Sequence, residues 1–398
     1  MHVLTISTLY PNNEDPKHGI FVENRRRQLQ QYWPEMTGGV IAPVPWFPFK
    51  IKSAKQYNKY VDVHSQERRH NIEIMHPRYL VIPKIGMYIT PWLMALSLFL
   101  ALRKYVKAFG KPDVIDGHYY FPDGLAISLV ARYFDIPFTC TARGTDLNLI
   151  ADMPLARRLI QAVIGKASKN IAVCQALTNK LSDLGASSAI TLRNGVDLDF
   201  FSALDSHQRK QLRNNLLVHI GADVKVLLSV GWLIERKGHY LIIEALAQLP
   251  NAHLLICGDG PEQASLQRLV DGLHLSDRVT FTGGLSQSKL RSYYQIADAL
   301  VLASSREGWA NVLLESMACG TPVVATNIWG TPEVVQQDSG GVLCERSVKG
   351  IVEALRALLN NYPEREAVRQ YAERFDWDET SAGQQAIFET IKATGRKS

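Results

Sequence analysis

The chain has 398 residues, 46% of them apolar and 21% charged, which is typical of a globular enzyme and excludes a disordered or fibrous protein. Its length exceeds what one hydrophobic core usually supports and predicts two domains. The net charge of +6 is uneven, because residues 1–200 carry 24 basic against 16 acidic residues. This excess predicts an anionic partner for the N-terminal half, such as phosphate groups or a membrane surface. No DNA- or RNA-binding signature accompanies the charge, so nucleic acid is not an expected partner.

The cysteines and the N-terminus indicate a cytoplasmic location. The sequence does not open with the pattern of a signal peptide. No two cysteines form a CxxC pair, and all lie far apart and mostly within apolar runs, which predicts buried thiols in a reducing compartment; they are Cys140, Cys174, Cys257, Cys319 and Cys344. The uncharged stretch from Ile85 to Leu102 is interrupted by Gly86 and Pro91, so we expect a helix from Pro91 to about Phe109 rather than a membrane span.

Taken in chain order, short apolar runs alternate with helical patterns. This alternation predicts an α/β protein with parallel sheets that are covered by helices. The strands expected in the first half are 3–7, 39–44, 71–75, 114–117, 138–142, 170–174 and 189–192, and those in the second half are 224–230, 253–257, 279–282, 299–303, 322–326 and 341–344. The clearest helical stretches are 22–33, 125–134, 240–249, 263–273 and 312–319.

The series of strands restarts after a polar stretch, residues 205–223. We therefore expect an N-terminal domain over residues 1–204 and a second domain over 205–376. In each domain, ligands are expected at the carboxyl ends of the strands. Two domains of this kind that face each other would form a cleft.

The first candidate motif runs from Gly231 to Gly238 and follows an expected strand directly. It places Arg236 and Lys237 at the carboxyl edge of the sheet, where they could neutralise a diphosphate. The alternative is two solvated cations before a helix. A second glycine turn, at Gly258, lacks the full dinucleotide fingerprint and does not support a dinucleotide site.

The second motif is more specific, because two carboxylates frame the start of an expected helix. Asn311 is the expected N-cap, and the amides that precede the apolar run favour an anion; they belong to Gly308, Trp309, Ala310, Asn311 and Val312. Glu307 and Glu315 suit hydroxyl groups, which a sugar and a ribose would offer. The alternative reading makes Glu315 a partner of the helix dipole and Glu307 a loop charge.

In the first half, several polar groups follow expected strands. His18-Gly19 lies after the first strand, where the glycine would let the backbone approach a phosphate. His118 follows another strand, and a lone histidine there is more often structural. Arg143 and Asp146 are expected at the same edge and strengthen the functional reading. Asn194 belongs to a turn that closes the domain.

Asp197-Leu-Asp199 resembles the DxD signature of metal-dependent glycosyltransferases. We interpret it as a false match, because it falls in the turn between the domains. Arg236 and Lys237 already offer positive charge where a metal would be needed. The sequence therefore predicts no metal and no cofactor.

Across nearly its whole length, the chain resembles glycosyltransferase family 4, the retaining enzymes of GT-B fold, and is most similar to bacterial members that build cell-surface polysaccharides. The resemblance is carried by Asp123-Gly, Arg143-Gly-Thr-Asp, Arg193-Asn-Gly-Val-Asp, Gly231…Arg236-Lys-Gly and the stretch from Glu307 to Glu315. Many relatives have His-Gly where this chain has Arg143-Gly144, and a double glycine where it has His18-Gly19. The resemblance implies two facing Rossmann-like domains and a C-terminal helix, residues 377–398, that packs back on the first domain.

The resemblance also implies roles for the residues. Arg236 and Lys237 would hold the donor diphosphate, Glu315 the ribose, and Glu307 with the following amides the transferred sugar. Gly19 would lie beside the phosphates, Phe281 beside the base and His118 near the anomeric carbon. Arg143, Asp146 and Asn194 would lie on the acceptor side. Gly231 and Gly258 would belong to the donor site.

The implied activity is retaining transfer of a sugar from a nucleotide-sugar, with UDP favoured, to a glycan acceptor that is lipid-linked. Two alternatives remain open: a nucleotide-sugar 2-epimerase of the same fold, and a catalytically silent nucleotide-sugar-binding subunit. The stretch from Pro45 to Tyr60 interleaves aromatic residues with Lys50, Lys52, Lys55 and Lys59. It predicts peripheral contact with the cytoplasmic face of the inner membrane.

Overall fold

The computed structural model of the protein describes residues 1–47, 60–82, 86–336 and 340–395. Most of the aromatic and lysine-rich stretch at 45–60 therefore lies outside the described residues. The chain divides into two compact units. The first comprises Met1–Asn194 and Trp377–Ser398, and the second comprises Gly195–Asp376. Both have the Rossmann-like arrangement of a parallel sheet with helices, and this α/β architecture confirms the predicted fold class.

The first unit is built on an eight-stranded sheet with the order β10-β9-β8-β7-β1-β2-β5-β4, in which only β4 and β5 pair antiparallel. A separate two-stranded sheet joins β3 and β6. The strands are β1 Val3–Ile6, β2 Val40–Ile41, β3 Val44–Trp46, β4 Gln66–Arg69, β5 Ile72–Met75, β6 Arg78–Leu80, β7 Val114–His118, β8 Phe138–Ala142, β9 Lys169–Ala172 and β10 Ala189–Thr191. The helices are α1 Ile20–Tyr32, α2 Thr90–Phe109, α3 Leu125–Phe134, α4 Thr145–Asn148, α5 Pro154–Ile164, α6 Gln175–Asp183 and the C-terminal α15 Asp378–Gly395.

The second unit has a six-stranded sheet, all parallel, with the order β13-β12-β11-β14-β15-β16. Its strands are β11 Lys225–Val230, β12 Ala252–Cys257, β13 Val279–Gly283, β14 Ala299–Leu302, β15 Val323–Thr326 and β16 Val342–Cys344. Its helices are α7 Ser206–Leu216, α8 His239–Leu246, α9 Gln263–Gly272, α10 Gln287–Ile296, α11 Asn311–Ala318, α12 Thr331–Val334, α13 Val348–Asn360 and α14 Arg365–Ala372.

The central strands are buried along their whole length because both faces of each sheet are covered. Every residue of β1, β8, β14 and β15 is buried, including the threonines of β1, β8 and β15. A parallel sheet with two covered faces favours runs that are mostly apolar, which is why these strands were visible in the sequence.

The junction between the units lies at residue 195 rather than 205. The backbone of residues 195–204 forms hydrogen bonds with other residues of the second unit. Val196 N donates to Phe375 O over 2.8 Å, and Arg369 donates to the carbonyls of Leu198 and Phe201. The segment from Trp377 onward belongs to the first unit, where Phe388 lies in a core cluster with Val3.

The expected burial of the cysteines is confirmed. All five cysteines are free and buried. In the described part of the chain, no helix combines the length and the apolarity that crossing a membrane requires. The stretch from Pro91 forms α2, with proline in its first turn.

Candidate functional site

The two motifs of the second unit meet because β11 and β14 are neighbours in the sheet. The strand order reverses at this point, since β12 continues on the other side of β11. In open α/β sheets, ligands bind outside the carboxyl ends of the strands at such a switch point. The loop after β11 carries Arg236 and Lys237, and the loop after β14 carries Glu307.

Lys237 forms a charge-assisted hydrogen bond with Glu307, in which Nζ donates to Oε1 over 2.6 Å. Arg236 lies beside it, with Nη1 3.5 Å from Glu307 Oε2. The same Nη1 donates to the carbonyl of Arg306 over 2.6 Å. The hydroxyl of Ser304 donates to Glu307 Oε1 over 2.7 Å. The cluster carries two positive charges and one negative charge, so one positive charge is left for an anion.

The electrostatics keep Glu307 ionised. Burial alone would raise the pKa of its carboxyl, but the charges of Lys237 and Arg236 and the hydrogen bonds from Lys237 and Ser304 hold the pKa below the ordinary value. The side chain of Lys237 is mostly buried, and that of Arg236 is about one quarter exposed. A mostly buried carboxylate with this anchoring is a fixed acceptor for the hydroxyl groups of a ligand.

Glu315 lies on α11 in a different environment. Tyr294 of α10 donates its hydroxyl proton to Glu315 Oε2 over 2.9 Å. Burial raises the pKa of Glu315 to about 7, and the hydrogen bond from Tyr294 acts in the opposite direction. Within the described chain, Tyr294 is the hydrogen-bond donor to this carboxylate, and it engages one of the two oxygens.

The start of α11 differs from the prediction. Asn311 is the first helical residue and not the N-cap, a position that Ala310 occupies without a side-chain hydrogen bond. The amide of Asn311 donates to the carbonyl of Trp309 over 3.1 Å, so it does not point freely at an anion. Trp309 is buried and lies 6.2 Å from Phe375, measured between ring centroids. Gly308 and Ala310 are buried and Val312 is half-buried in this segment.

The glycines that follow β11 and β12 make room for other protein atoms. Gly231 has φ 152°, and a Cβ there would lie 3.3 Å from Cε of Lys237. At Gly258, a Cβ would lie 1.9 Å from the carbonyl oxygen of Gly231. Their absent side chains therefore let the loops after β11 and β12 pack closely and leave space for the stem of Lys237. Phe281, on β13, packs against the core of the unit.

In the first unit, the structure brings together His118, Arg143 and Asn194. His118 ends β7 and Arg143 follows β8, its neighbour in the sheet. Arg143 Nη2 donates to His118 Nδ1 over 2.8 Å, and Nη1 donates to Asn194 Oδ1 over 3.1 Å. The other ring nitrogen of His118, Nε2, lies 3.2 Å from Asp116 Oδ2.

These contacts assign the tautomer of His118. Arginine only donates, so Nδ1 must accept and the ring proton sits on Nε2, facing Asp116. Burial lowers the pKa of His118 to about 4, which keeps the ring neutral. The ring is 1% exposed and both nitrogens are engaged. His118 is therefore placed as a positioning residue for Arg143, and its action near the anomeric carbon stays a prediction.

The network continues through residues that sequence patterns did not reveal. Arg25 of α1 donates to Asn194 Oδ1 over 3.4 Å and to Gln384 Oε1 over 3.0 Å. Gln384, on the C-terminal helix α15, donates to Asp116 Oδ2 over 2.9 Å. Burial alone would raise the pKa of Asp116, but His118 and the two arginines hold it below the ordinary value. Burial lowers the pKa of Arg143 to about 9.

Asp146 stabilises the backbone around the loop after β8. Its carboxylate accepts hydrogen bonds from the amides of Tyr120, Arg143 and Gly144, at 3.0, 3.1 and 2.8 Å. It shapes the loop after β8 and so positions Arg143. Its side chain is fully buried and does not face solvent.

Gly19 is required by packing within the protein. It has φ 64°, and a Cβ there would lie 2.1 Å from the carbonyl carbon of Leu9. This contact explains the glycine without a ligand. The expected approach of a phosphate to Gly19 stays a prediction.

The Asp197-Leu-Asp199 turn engages one of its two carboxylates within the protein. Asp197 Oδ1 accepts a hydrogen bond from the amide of Phe200 over 3.0 Å, while Asp199 is exposed. Within residues 1–47, 60–82, 86–336 and 340–395, no group of three or more His, Cys, Asp or Glu side chains could hold a metal ion.

Ser304 and Tyr294 were missed in the sequence because each acts through a glutamate and belongs to no motif of its own. Ser304 stands three residues before Glu307 in the loop after β14, which was a usable signal. Tyr294 lies on a separate helix, 21 residues from Glu315, and no local pattern marks it.

Two family models match the chain in succession. Residues 39–200 match the model described as Glycosyltransferase Family 4, and residues 218–375 match the model described as Glycosyl transferases group 1. The chain thus belongs to these glycosyltransferases, and the resemblance to glycosyltransferase family 4 is confirmed.

Relatives and solved structures agree with this assignment. A Bacillus subtilis protein, named as a teichuronic acid biosynthesis glycosyltransferase, is 26% identical over 358 residues, which covers 89% of this chain and 88% of the relative. Sucrose-phosphate synthase from Thermosynechococcus elongatus has the same fold, with a TM-score of 0.80, 19% identity and coverage of 99% of this chain and 100% of that chain. The Anabaena protein HepE in complex with UDP and glucose gives a TM-score of 0.73 at 20% identity, covering 99% and 100%. The protein is a glycosyltransferase of GT-B fold.

Proposed function

We propose that this glycosyltransferase moves a sugar from a nucleotide-sugar donor to a glycan acceptor, with retention of anomeric configuration and without a metal. The observation that carries the proposal is the cluster of Arg236, Lys237 and Glu307 at the carboxyl edge of β11 and β14. Its remaining positive charge suits a diphosphate, and Glu307 suits the hydroxyls of a sugar. Glu315 lies nearby on α11 and suits the ribose.

The proposed step is a front-face displacement. The acceptor hydroxyl oxygen forms the new bond to the anomeric carbon while the bond from that carbon to the β-phosphate oxygen breaks. The departing phosphate takes the proton of the hydroxyl. Arg236 and Lys237 stabilise the negative charge that develops on the diphosphate, which is where fixed cations lower a barrier most.

For the substrates, we favour a UDP-sugar and a lipid-linked glycan in the cytoplasm, in the synthesis of cell-surface polysaccharide. UDP is bound in the Anabaena structure of the same fold. The Bacillus subtilis relative is named for teichuronic acid biosynthesis. A Rhizobium meliloti relative, 40% identical over 124 residues, is named as a lipopolysaccharide core biosynthesis glycosyltransferase. The buried free thiols suit a reducing compartment.

The test is a thermal-shift screen with UDP-, GDP- and ADP-sugars, followed by NMR of the sugar released by slow hydrolysis of the donor that binds. We expect stabilisation by one nucleotide class and release of the sugar with the anomeric configuration of the donor. No stabilisation by any nucleotide-sugar would overturn the proposal. An epimerised nucleotide-sugar formed from donor alone would identify an epimerase, and binding without hydrolysis or transfer would identify a silent subunit.

A further inference from the structure

Helix α2 of the first unit exposes an unusual amount of apolar surface. More than half of the large exposed apolar side chains in the described part of the chain lie between Leu80 and Phe109. On α2 itself, Trp92, Leu96 and Leu100 are 50%, 63% and 60% exposed. Soluble proteins rarely expose contiguous apolar patches of this kind without a binding partner.

These side chains form one stripe. Trp92, Leu96 and Leu100 are spaced four residues apart, so they lie above one another on one face of the helix. Met94, Leu98 and Leu102 point the other way and are fully buried. The exposed stripe therefore lies outside the core of the unit.

The same face turns basic toward the end of the helix. Arg103, Lys104 and Lys107 are exposed there, and α2 contains no acidic residue. A hollow of about 870 Å³ runs beside the stripe, lined among others by Trp46, Tyr79, Leu80 and Leu93. None of the described residues that line it is Asp or Glu. Apolar, aromatic and cationic groups thus share one surface.

We propose that this surface docks on an anionic lipid bilayer. We call it the α2 face and define it as Trp92, Leu96, Leu100, Arg103, Lys104 and Lys107. The tryptophan and leucines would enter the boundary between headgroups and acyl chains, as the apolar side of an interfacial helix does. The three cations would meet anionic headgroups. The proposal rests on the proposed lipid-linked acceptor, which docking would bring within reach.

Charge favours a bilayer over a second copy of the chain. An interface between two α2 faces would bury the three cations of each copy with no carboxylate on the helix to pair them. Burying unpaired charge is unfavourable. An anionic bilayer supplies the missing negative charge and accepts the apolar stripe at the same time.

The experiment is co-sedimentation of the full chain with vesicles of phosphatidylcholine, with and without phosphatidylglycerol, at low and high salt. We expect the wild type to sediment with the anionic vesicles at low salt and to be released by high salt. Reversing the three charges (Arg103→Glu, Lys104→Glu, Lys107→Glu) should lower the partition coefficient by about a hundredfold or more. Replacing Trp92, Leu96 and Leu100 by Gln should weaken binding at both salt concentrations.

Two matched controls separate the α2 face from general charge and hydrophobicity. Arg157, Arg158 and Lys166 are exposed cations of the same unit, and their reversal to Glu gives the same net charge. Leu155, Val218 and Leu273 are exposed apolar residues that do not belong to α2, and their change to Gln matches the second variant. Both controls should sediment like the wild type. Equal losses in the controls and the α2 variants would overturn the proposal.

Other outcomes are equally decisive. Wild-type protein that stays in the supernatant with anionic vesicles at low salt overturns the proposal. Light scattering that shows a dimer, dissolved by the Gln variant, would identify the face as an interface between copies instead. Donor binding is measured in parallel by thermal shift and should be unchanged in all variants, because α2 belongs to the first unit. If the wild type does not dock while its donor binding is intact, the docking proposal fails and the proposed function is unaffected. If the wild type does not bind a donor, the proposed function is refuted, whether or not the protein sediments with vesicles.

Discussion

Tyr294 donates a hydrogen bond to one carboxylate oxygen of Glu315, and no other residue of the described chain donates to that carboxylate. The hydroxyl donates over 2.9 Å, and the two residues belong to adjacent helices, α10 and α11. Tyr294 is completely buried, so its hydroxyl cannot turn to water. The carboxylate is thereby held in one orientation even before a ligand binds.

This arrangement predicts that Glu315 costs stability. The folded pKa of about 7 exceeds the ordinary value of 4.5. Between these values the folded protein binds more protons than the unfolded chain, so stability falls as pH rises through this window and is constant above it. Glu315→Gln should therefore be more heat-stable than the wild type at pH 8, with the advantage shrinking toward pH 5. The measurement is Tm against pH, with Glu353→Gln, a change at an exposed glutamate, as control. A difference in Tm between Glu315→Gln and the wild type that is the same at pH 5 and pH 8 would contradict the raised pKa of Glu315.

Removing the anchor should affect binding of the ribose. Tyr294→Phe is expected to raise the donor KM roughly threefold to tenfold, the worth of one hydrogen bond. A donor without a ribose 2′-hydroxyl distinguishes positioning from packing. Removal of the 2′-hydroxyl from the donor should weaken binding less in Tyr294→Phe than in the wild type, because the variant no longer holds Glu315 in position for the ribose. Tyr293→Phe is the matched control, and the same loss in all three proteins would exclude a positioning role.

The basic pair should carry donor binding and stabilisation of the leaving group. Each charge-assisted contact is worth about 1.5–3 kcal/mol, so Arg236→Ala or Lys237→Ala should lower kcat/KM about tenfold to a hundredfold or more. Lys237→Ala should also raise the pKa of Glu307, since the lysine is a principal group that lowers it. Lys225→Ala, at the opposite end of β11, is the control. Near-native turnover in the Arg236→Ala, Lys237→Ala double variant would refute the assignment.

A different pH signature belongs to His118. Its folded pKa of about 4 lies below the ordinary value of 6.5, so the unfolded chain binds more protons between these values. Stability should therefore rise with pH across this window. His118→Gln retains an acceptor for Arg143 and a donor for Asp116 and should flatten the rise. The check is Tm at pH 4.5 and 7, with exposed His207→Gln as control; an unchanged slope would show that the ring is not buried neutral.

The sequence was sufficient where structure depends on local apolar patterns. The strand Phe138–Ala142 and the helix Leu125–Phe134 have the predicted bounds, because burial selects runs that are mostly apolar. The strand Gln66–Arg69 was not predicted, since it has no apolar residue and forms by antiparallel pairing with β5 at the sheet edge. The expected strand at 39–44 is interrupted and becomes parts of β2 and β3 around Pro43, which has no amide proton to donate.

For the site, the sequence predicted individual residues but not the contacts between them. Motifs after strands identified Arg236, Lys237 and Glu307, but their mutual contact depends on β11 and β14 being neighbours, which no local pattern specifies. The contact of Arg25 with Gln384 joins residues 359 positions apart, and neither lies in a recognisable motif. Long-range polar networks of this kind follow from topology and not from spacing.

Transfer should not depend on a metal ion. In the proposed donor site, Arg236 and Lys237 supply the positive charge that a metal would otherwise supply to the diphosphate. Asp197 accepts a hydrogen bond from the amide of Phe200 within its own turn, and Asp199 is exposed. We therefore expect transfer or donor hydrolysis to continue at an unchanged rate after exhaustive EDTA treatment. Asp199→Ala should have native activity, whereas Asp197→Ala should lower Tm slightly through loss of the hydrogen bond to the Phe200 amide. Activity that requires Mn²⁺ or Mg²⁺ and is lost in Asp199→Ala would establish a metal site at this turn. It would also refute the interpretation that Arg236 and Lys237 take the place of a metal.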